Sequence, residues 1–134
     1  MMHRYGFRSV AAGVVLALLT ALVAVRPAEA RSTAALDTWA AVAYSQKTGR
    51  YGYGNNYFSK AEAQKRALAE CKADDAKVVG TVGNGWVALA LGDDKTAYGY
   101  GLAATAFQAR SIALAECRKR TKNCAIVVCV HSDG

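Results

Sequence analysis

Two short tracts, Tyr51-Gly52-Tyr53-Gly54 and Tyr98-Gly99-Tyr100-Gly101, hold the side chains best suited to touching another molecule. In an extended strand alternate residues face opposite ways, so the tyrosines project from one face and the glycines occupy the other. Four phenol rings on a common face, related by a twofold axis, are expected to cluster. They would hold a sugar or a peptide by stacking, with hydroxyls at the rim. A half-buried sheet face that binds nothing is the competing account.

Groups that would carry a reaction are scarce. Beyond the first thirty residues the only histidine is His131, three residues from the C-terminus. Asp74-Asp75 and Asp93-Asp94 are adjacent carboxylates, but both pairs fall where loops or turns are expected, and a turn role outweighs general acid and base work. The glycines lack the lysine and the strand-to-helix setting of a phosphate loop. No residue pattern points to a metal site or a cofactor, and no catalytic residue is assigned.

The N-terminus has the pattern of an export signal. Arg4 and Arg8 precede an uncharged apolar run from Ser9 to Val25, and Ala28-Glu29-Ala30 supplies the small residues of a cleavage site. The chain is therefore expected to be cut after Ala30 and to act in the periplasm or outside the cell. The alternative is an uncleaved anchor, the only route by which a membrane would be involved. Removing Arg4, Arg8, Arg26 and Glu29 from 17 basic and 10 acidic residues leaves 14 and 9, a net charge of +5. The densest basic run, Arg118-Lys119-Arg120 with Lys122, follows a helix, where cations meet the negative end of the helix dipole. Export and this mild charge argue against nucleic acid as a partner.

In an oxidising compartment four cysteines read first as disulfides. Cys117 ends a helix and Cys124 follows seven residues later, a short loop that a bridge would staple. Ala76 and Lys77 stand where Cys71 would have the matching partner. Cys71 then pairs with Cys129 or both stay free. If Cys124 lies within a strand, alternation points Cys124 and Cys129 to opposite faces. A free Cys71 or Cys129 would open covalent pairing of two chains. Redox catalysis is disfavoured, because there is no C-x-x-C spacing.

The elements that must position these groups occur twice. Trp39-Ala40-Ala41-Val42-Ala43 returns as Trp86-Val87-Ala88-Leu89-Ala90, and Ala67-Leu68-Ala69-Glu70-Cys71 returns as Ala113-Leu114-Ala115-Glu116-Cys117. In each copy a strand-like tract from the tryptophan leads through a turn, Gln46 to Gly49 or Gly92 to Lys95, into the tyrosine tract. Ser59 with Glu62, and Thr105 with Gln108, have capping-box spacing. Ala63, Ala67 and Cys71, and likewise Ala109, Ala113 and Cys117, form a stripe of small residues on each helix, which lets it lie close to what it packs on. A last strand follows each helix, Lys77 to Val82 and Ala125 to Val130. The pattern predicts an α+β domain of two tandem strand-strand-helix-strand repeats, with one antiparallel or mixed sheet covered by two helices about a pseudo-twofold axis. Its parts are a leader at 31–38 and a single domain at 39–134, divided into repeats at 39–85 and 86–134. A unit this small cannot bury its apolar face alone, and a pair closes a shared core.

Trp39-Ala40-Ala41-Val42-Ala43-Tyr44, the Ala67 to Cys71 helix end, Asn84-Gly85-Trp86-Val87-Ala88-Leu89-Ala90 and the second copy ending at Cys117 together resemble the domain of unknown function 4189 family of small secreted bacterial proteins. The resemblance spans about 39 to 130. It implies an export signal and a doubled unit, and brings no activity or catalytic residue. Ala76 and Trp86 stand where the family often has cysteines, which leaves Cys71 and Cys129 without the partners the resemblance implies.

These observations favour a non-catalytic binding module at the cell envelope or outside the cell, with Tyr51, Tyr53, Tyr98 and Tyr100 as contacts for an envelope glycan or a protein. The alternatives are a secreted inhibitor or effector that docks through its two hairpins, and an enzyme of unfamiliar type.

Overall fold

A computed structural model describes residues 36–134. The expected signal segment at 1–30, and the leader up to residue 35, lie outside the described residues. The elements run in chain order as β1 (Trp39–Tyr44), β2 (Tyr51–Tyr57), α1 (Lys60–Cys71), β3 (Lys77–Gly83), β4 (Trp86–Leu91), β5 (Tyr98–Ala103), α2 (Ala106–Arg118) and β6 (Ala125–His131). Local chemistry explains the helix starts. The Ser59 hydroxyl accepts from the Glu62 N–H and the Thr105 hydroxyl from the Gln108 N–H, both at 3.2 Å, which satisfies one orphan amide at each N-terminus. Lys72 ends α1 in the left-handed region at φ 54°, and the Arg50 guanidinium donates to its carbonyl.

The α+β class holds, but the strands divide into two sheets rather than one. Each half keeps its own three strands, all antiparallel, ordered β2-β1-β3 and β5-β4-β6. The reason lies in the central strands, which are buried on both faces. Ala40, Val42 and Tyr44 of β1 meet Val87 and Leu89 of β4 and Val128 of β6 between the sheets, while Ala41 and Ala43 face α1 and Ala88 and Ala90 face α2. A strand that is apolar on both faces is satisfied by a helix on one side and a sheet on the other. The result is four layers: α1, first sheet, second sheet, α2.

The outer layers are tight because the sheet offers glycine. A Cβ added at Gly99 would lie 2.3 Å from the Ala113 carbonyl oxygen and from the Cys117 nitrogen, and one at Gly52 would lie 2.3 Å from the Cys71 nitrogen. With no Cβ on the strand and only alanine on the helix, backbone rests nearly on backbone. The small-residue stripe thus serves helix packing, and it turns every tyrosine of the tracts away from the helix.

Both third strands carry a bulge. Val42 pairs with Gly80 and Ala43 with Val78, which leaves Val79 extra; Leu89 pairs with Val128 and Ala90 with Ile126, which leaves Val127 extra. The bulge resets the alternation. Cys124 precedes β6, and both it and Cys129 pack against the α2 cluster, so they do not face opposite ways. Cys117 and Cys124 form a disulfide with Cα atoms 6.1 Å apart, and Cys71 and Cys129 are free thiols. A Cys71–Cys129 bridge is ruled out by the layering: Cys71 ends α1 and packs on the outer face of the first sheet, and Cys129 packs in the α2 cluster of the second, with both sheets between them. Cys71 is also only 1% exposed, which removes it as a point of covalent pairing between chains.

Candidate functional sites at two open strand edges

β2 and β5 are edge strands, bonded on one side only. The bond from the Ser45 N–H to the Arg50 carbonyl at 2.9 Å fixes the alternation of the first hairpin. Gly52 and Gly54 therefore bond β1, and the N–H and C=O of Tyr51 and Tyr53 point outward. In the second half the guanidinium of Arg120 reaches the Tyr98 carbonyl from outside at 3.4 Å, which shows the same outward phase in β5.

A groove runs along each edge. The β2 groove, about 460 Å³, is floored by Tyr51 to Asn55 and flanked by Arg66 and Glu70 of α1, which form an ion pair at 2.9 Å. The β5 groove, about 580 Å³, joins Tyr98 and Tyr100 to the apolar Leu102 and Ile112, with Glu116 and Arg120 at its rim. Arg120 donates to the Glu116 carbonyl and contacts its carboxylate, and Lys119 also pairs with that carboxylate at 3.0 Å. The Lys119 bond is the main cause that holds the Glu116 carboxyl below its ordinary value.

The four tyrosines do not form one cluster. β2 lies against β6 and β5 against β3, so the first pair and the second pair occupy opposite edges of the stacked sheets. Tyr51, Tyr53 and Tyr100 are 41%, 44% and 40% exposed, enough to offer ring surface to a ligand. The pairs differ in how firmly they are held. Tyr98 sits edge-on to Tyr44 with ring centroids 5.5 Å apart, and the Tyr100 ring covers Gly80, where an added Cβ would be 3.1 Å from it. Of the flanking residues, Arg120 stood out in the sequence only as part of a basic run after a helix, and Arg66, Glu70 and Ile112 were not singled out as site residues. The signal for Arg66, Glu70 and Ile112 was their placement beside the alanine stripe on each helix.

Asp75, Asp93, Asp94 and His131 have structural partners. Asp75 accepts from the Ser45 hydroxyl and from the Lys47 N–H, and the Ser45 bond is the leading cause that lowers its pKa. Asp94 accepts from the N–H and hydroxyl of Thr96, and the hydroxyl is the leading cause that lowers its carboxyl. Asp93 accepts from the Asn123 side chain. His131 packs edge-on against Trp86 at 5.1 Å and its Nδ1 accepts from the Asp133 N–H. The buried Ser132 hydroxyl accepts from the Gly85 N–H and lies 3.1 Å from the Thr38 hydroxyl, which ties the chain end to the junction of the halves. Burial pushes the Cys71 thiol up, the Asp75 charge adds to the rise, and Arg50 opposes both. Among the described residues no three His, Cys, Asp or Glu gather as a metal would require.

The family whose model matches residues 39–130 is Domain of unknown function (DUF4189). The chain belongs to the DUF4189 family. No curated protein and no solved structure matches it. In this DUF4189 protein the match covers both halves and every strand and helix except the last residue of β6, so both grooves lie inside the family domain. Among the described residues no helix is long and apolar enough to cross a membrane, and the disulfide is compatible with an oxidising, secreted or periplasmic setting.

Proposed function

We propose that the protein is an exported, non-catalytic binding module that acts at the cell envelope or outside the cell, after removal of the segment ending at Ala30. The observation that supports it best is the β5 groove, where the Tyr98 and Tyr100 rings are pre-positioned by Tyr44 and Gly80 beside Leu102 and Ile112, with Glu116 and Arg120 also lining it. Aromatic platforms held in place by their own core lose little freedom on binding, and a groove that sets aromatic and apolar side chains beside polar ones suits the face of a sugar ring or an extended peptide. The structural partners found for Asp75, Asp93 and Asp94 support a role other than proton transfer for these carboxylates.

Co-sedimentation with cell-wall and membrane fractions tests this. Binding that survives high salt and is lost in the Tyr98→Ala, Tyr100→Ala double variant is expected. Binding that persists undiminished in that folded variant would move the contact elsewhere.

One observation favours a second reading, a secreted inhibitor or effector that docks through its hairpins. The two turns meet at one end of the domain: the Tyr44 hydroxyl donates to the Lys95 carbonyl at 2.8 Å and the Gln46 amide donates to the Thr96 carbonyl. Substitutions at the exposed Lys47 and Asp93 that abolish capture of a protein partner, while the tyrosine variant retains it, would establish that reading.

A further inference from the structure

We propose that the β2 edge pairs with β2 of a second copy of this chain, about a twofold axis through Tyr53, to form a continuous six-stranded sheet with the two α1 helices side by side. This goes beyond the ligand reading above and does not depend on what the β5 groove binds.

Three features of the edge carry it. The first is its regularity. An unpaired strand is a template for another strand, and proteins blunt such edges with charge, proline or a bulge. β3 begins with Lys77 and carries the Val79 bulge, and β6 carries the Val127 bulge. The stretch Tyr51-Gly52-Tyr53-Gly54 has no charge, no proline and an unbroken register against β1, and the irregularity of β2 falls beyond it, between the pairs Ala41–Gly54 and Trp39–Tyr57. The second is access. At the β5 edge Arg120 already occupies the Tyr98 carbonyl, whereas among the described residues no side chain bonds the outward groups of Tyr51 or Tyr53.

The third feature selects a second copy as the occupant. α1 runs antiparallel to β2: Gly54 lies under Arg66 and Ala63, and Gly52 under Ala67 to Cys71. Arg66 and Glu70 therefore stand on the two sides of Tyr53 along the groove. A twofold axis at Tyr53 exchanges those positions, so Arg66 of each copy faces Glu70 of the other. Tyr53 then pairs with Tyr53 of the second copy through two backbone hydrogen bonds, and Gly52 lies opposite Gly54 of the second copy. Spacing agrees with this arrangement. α1 lies over β1 and β2, so with strands about 4.8 Å apart its axis falls roughly 10 Å from that of its mate, the distance at which helices pack. The β5 edge lacks the complementarity, because Ile112 and Glu116 hold the positions of Arg66 and Glu70.

Sedimentation velocity of the purified protein across a concentration series tests the pairing, with Arg66→Glu, Glu70→Arg and the double exchange R66E/E70R. Each single reversal sets like charges across the axis twice, and should weaken the dimer at least tenfold. The double exchange should restore it. Circular dichroism reports whether each variant is folded, and the Tyr53 amide should exchange more slowly as concentration rises. A wild type that is monomeric at every concentration, a dimer that ignores both single reversals, or a folded double exchange that stays monomeric would overturn the proposal. No envelope fraction enters this measurement, so such a result leaves the β5 reading untouched.

Discussion

The two halves of the domain carry the same elements in the same order, yet they hold the loop after the helix by different chemistry. In the first half the loop is fastened by a carboxylate: Asp75 grips Ser45 and the Lys47 N–H of the β1–β2 hairpin, and the Ser45 oxygen in turn accepts from the N–H and hydroxyl of Thr48. In the second half the Lys122 carbonyl, the Thr121 hydroxyl and the Asn123 amide hold Asp93 and Asp94, and the Cys117–Cys124 disulfide anchors that loop to the helix end. Cys71 occupies the place of Cys117 and stays a buried thiol whose Sγ is 3.4 Å from the Arg50 carbonyl. What the pair teaches is that the hairpin must be gripped by the loop that follows its helix, while the means is interchangeable. The edges diverge in the same way: one is covered by Arg120, the other is bare.

The feature common to both halves should give the largest effect. Gly99→Ala and Gly52→Ala each force a methyl against helix backbone that cannot give way, and overpacking of this kind costs about 3 kcal/mol. For a domain of this size that is a fall in Tm on the order of 10–20 °C, read by thermal denaturation. A small loss at one site only would mean that its helix can ride away from the sheet, and would break the equivalence of the halves.

Next in size is the covalent grip. Opening a loop this short, as in the Cys117→Ser, Cys124→Ser double variant, should cost about 2.5 kcal/mol. Reductant should lower the wild-type Tm by a similar amount and leave the double variant unmoved. Hydrogen exchange should show the loosening in the Asp93–Asp94 hairpin first, with the Ser45–Asp75 region little changed.

The carboxylate grip should give the smallest and the only strongly pH-dependent effect. The Asp75 carboxyl is held below its ordinary 3.8 in the folded state. Its contribution is therefore fully present above that value and is lost as pH falls through the lower, folded-state pKa. Asp75→Asn should weaken the fold at neutral pH and flatten its acid dependence in that window. An unchanged acid profile in the variant would assign the grip to Ser45 and Thr48 alone. Asp94 and Glu116, also lowered, supply the residual slope.

The sequence by itself determined the local structure. Ser59 and Thr105 mark the helix starts, the Ala63–Ala67–Cys71 and Ala109–Ala113–Cys117 stripes mark the faces that pack, and alternation of tyrosine with glycine says which side of β2 and β5 faces away from a helix. These follow from contacts within a few residues, so a linear pattern is enough to read them. Only the tertiary structure decided what depends on residues far apart in the chain. Six strands divide into two sheets because the central strands are apolar on both faces, and that stacking sends the two tyrosine pairs to opposite edges. It also separates Cys71 from Cys129 by two layers. No local pattern announces the bulges at Val79 and Val127, which show only in the pairing of strands far apart in the chain. Arg66 and Glu70 are four residues apart on one helix, and only their position astride Tyr53 at an open edge makes them self-complementary.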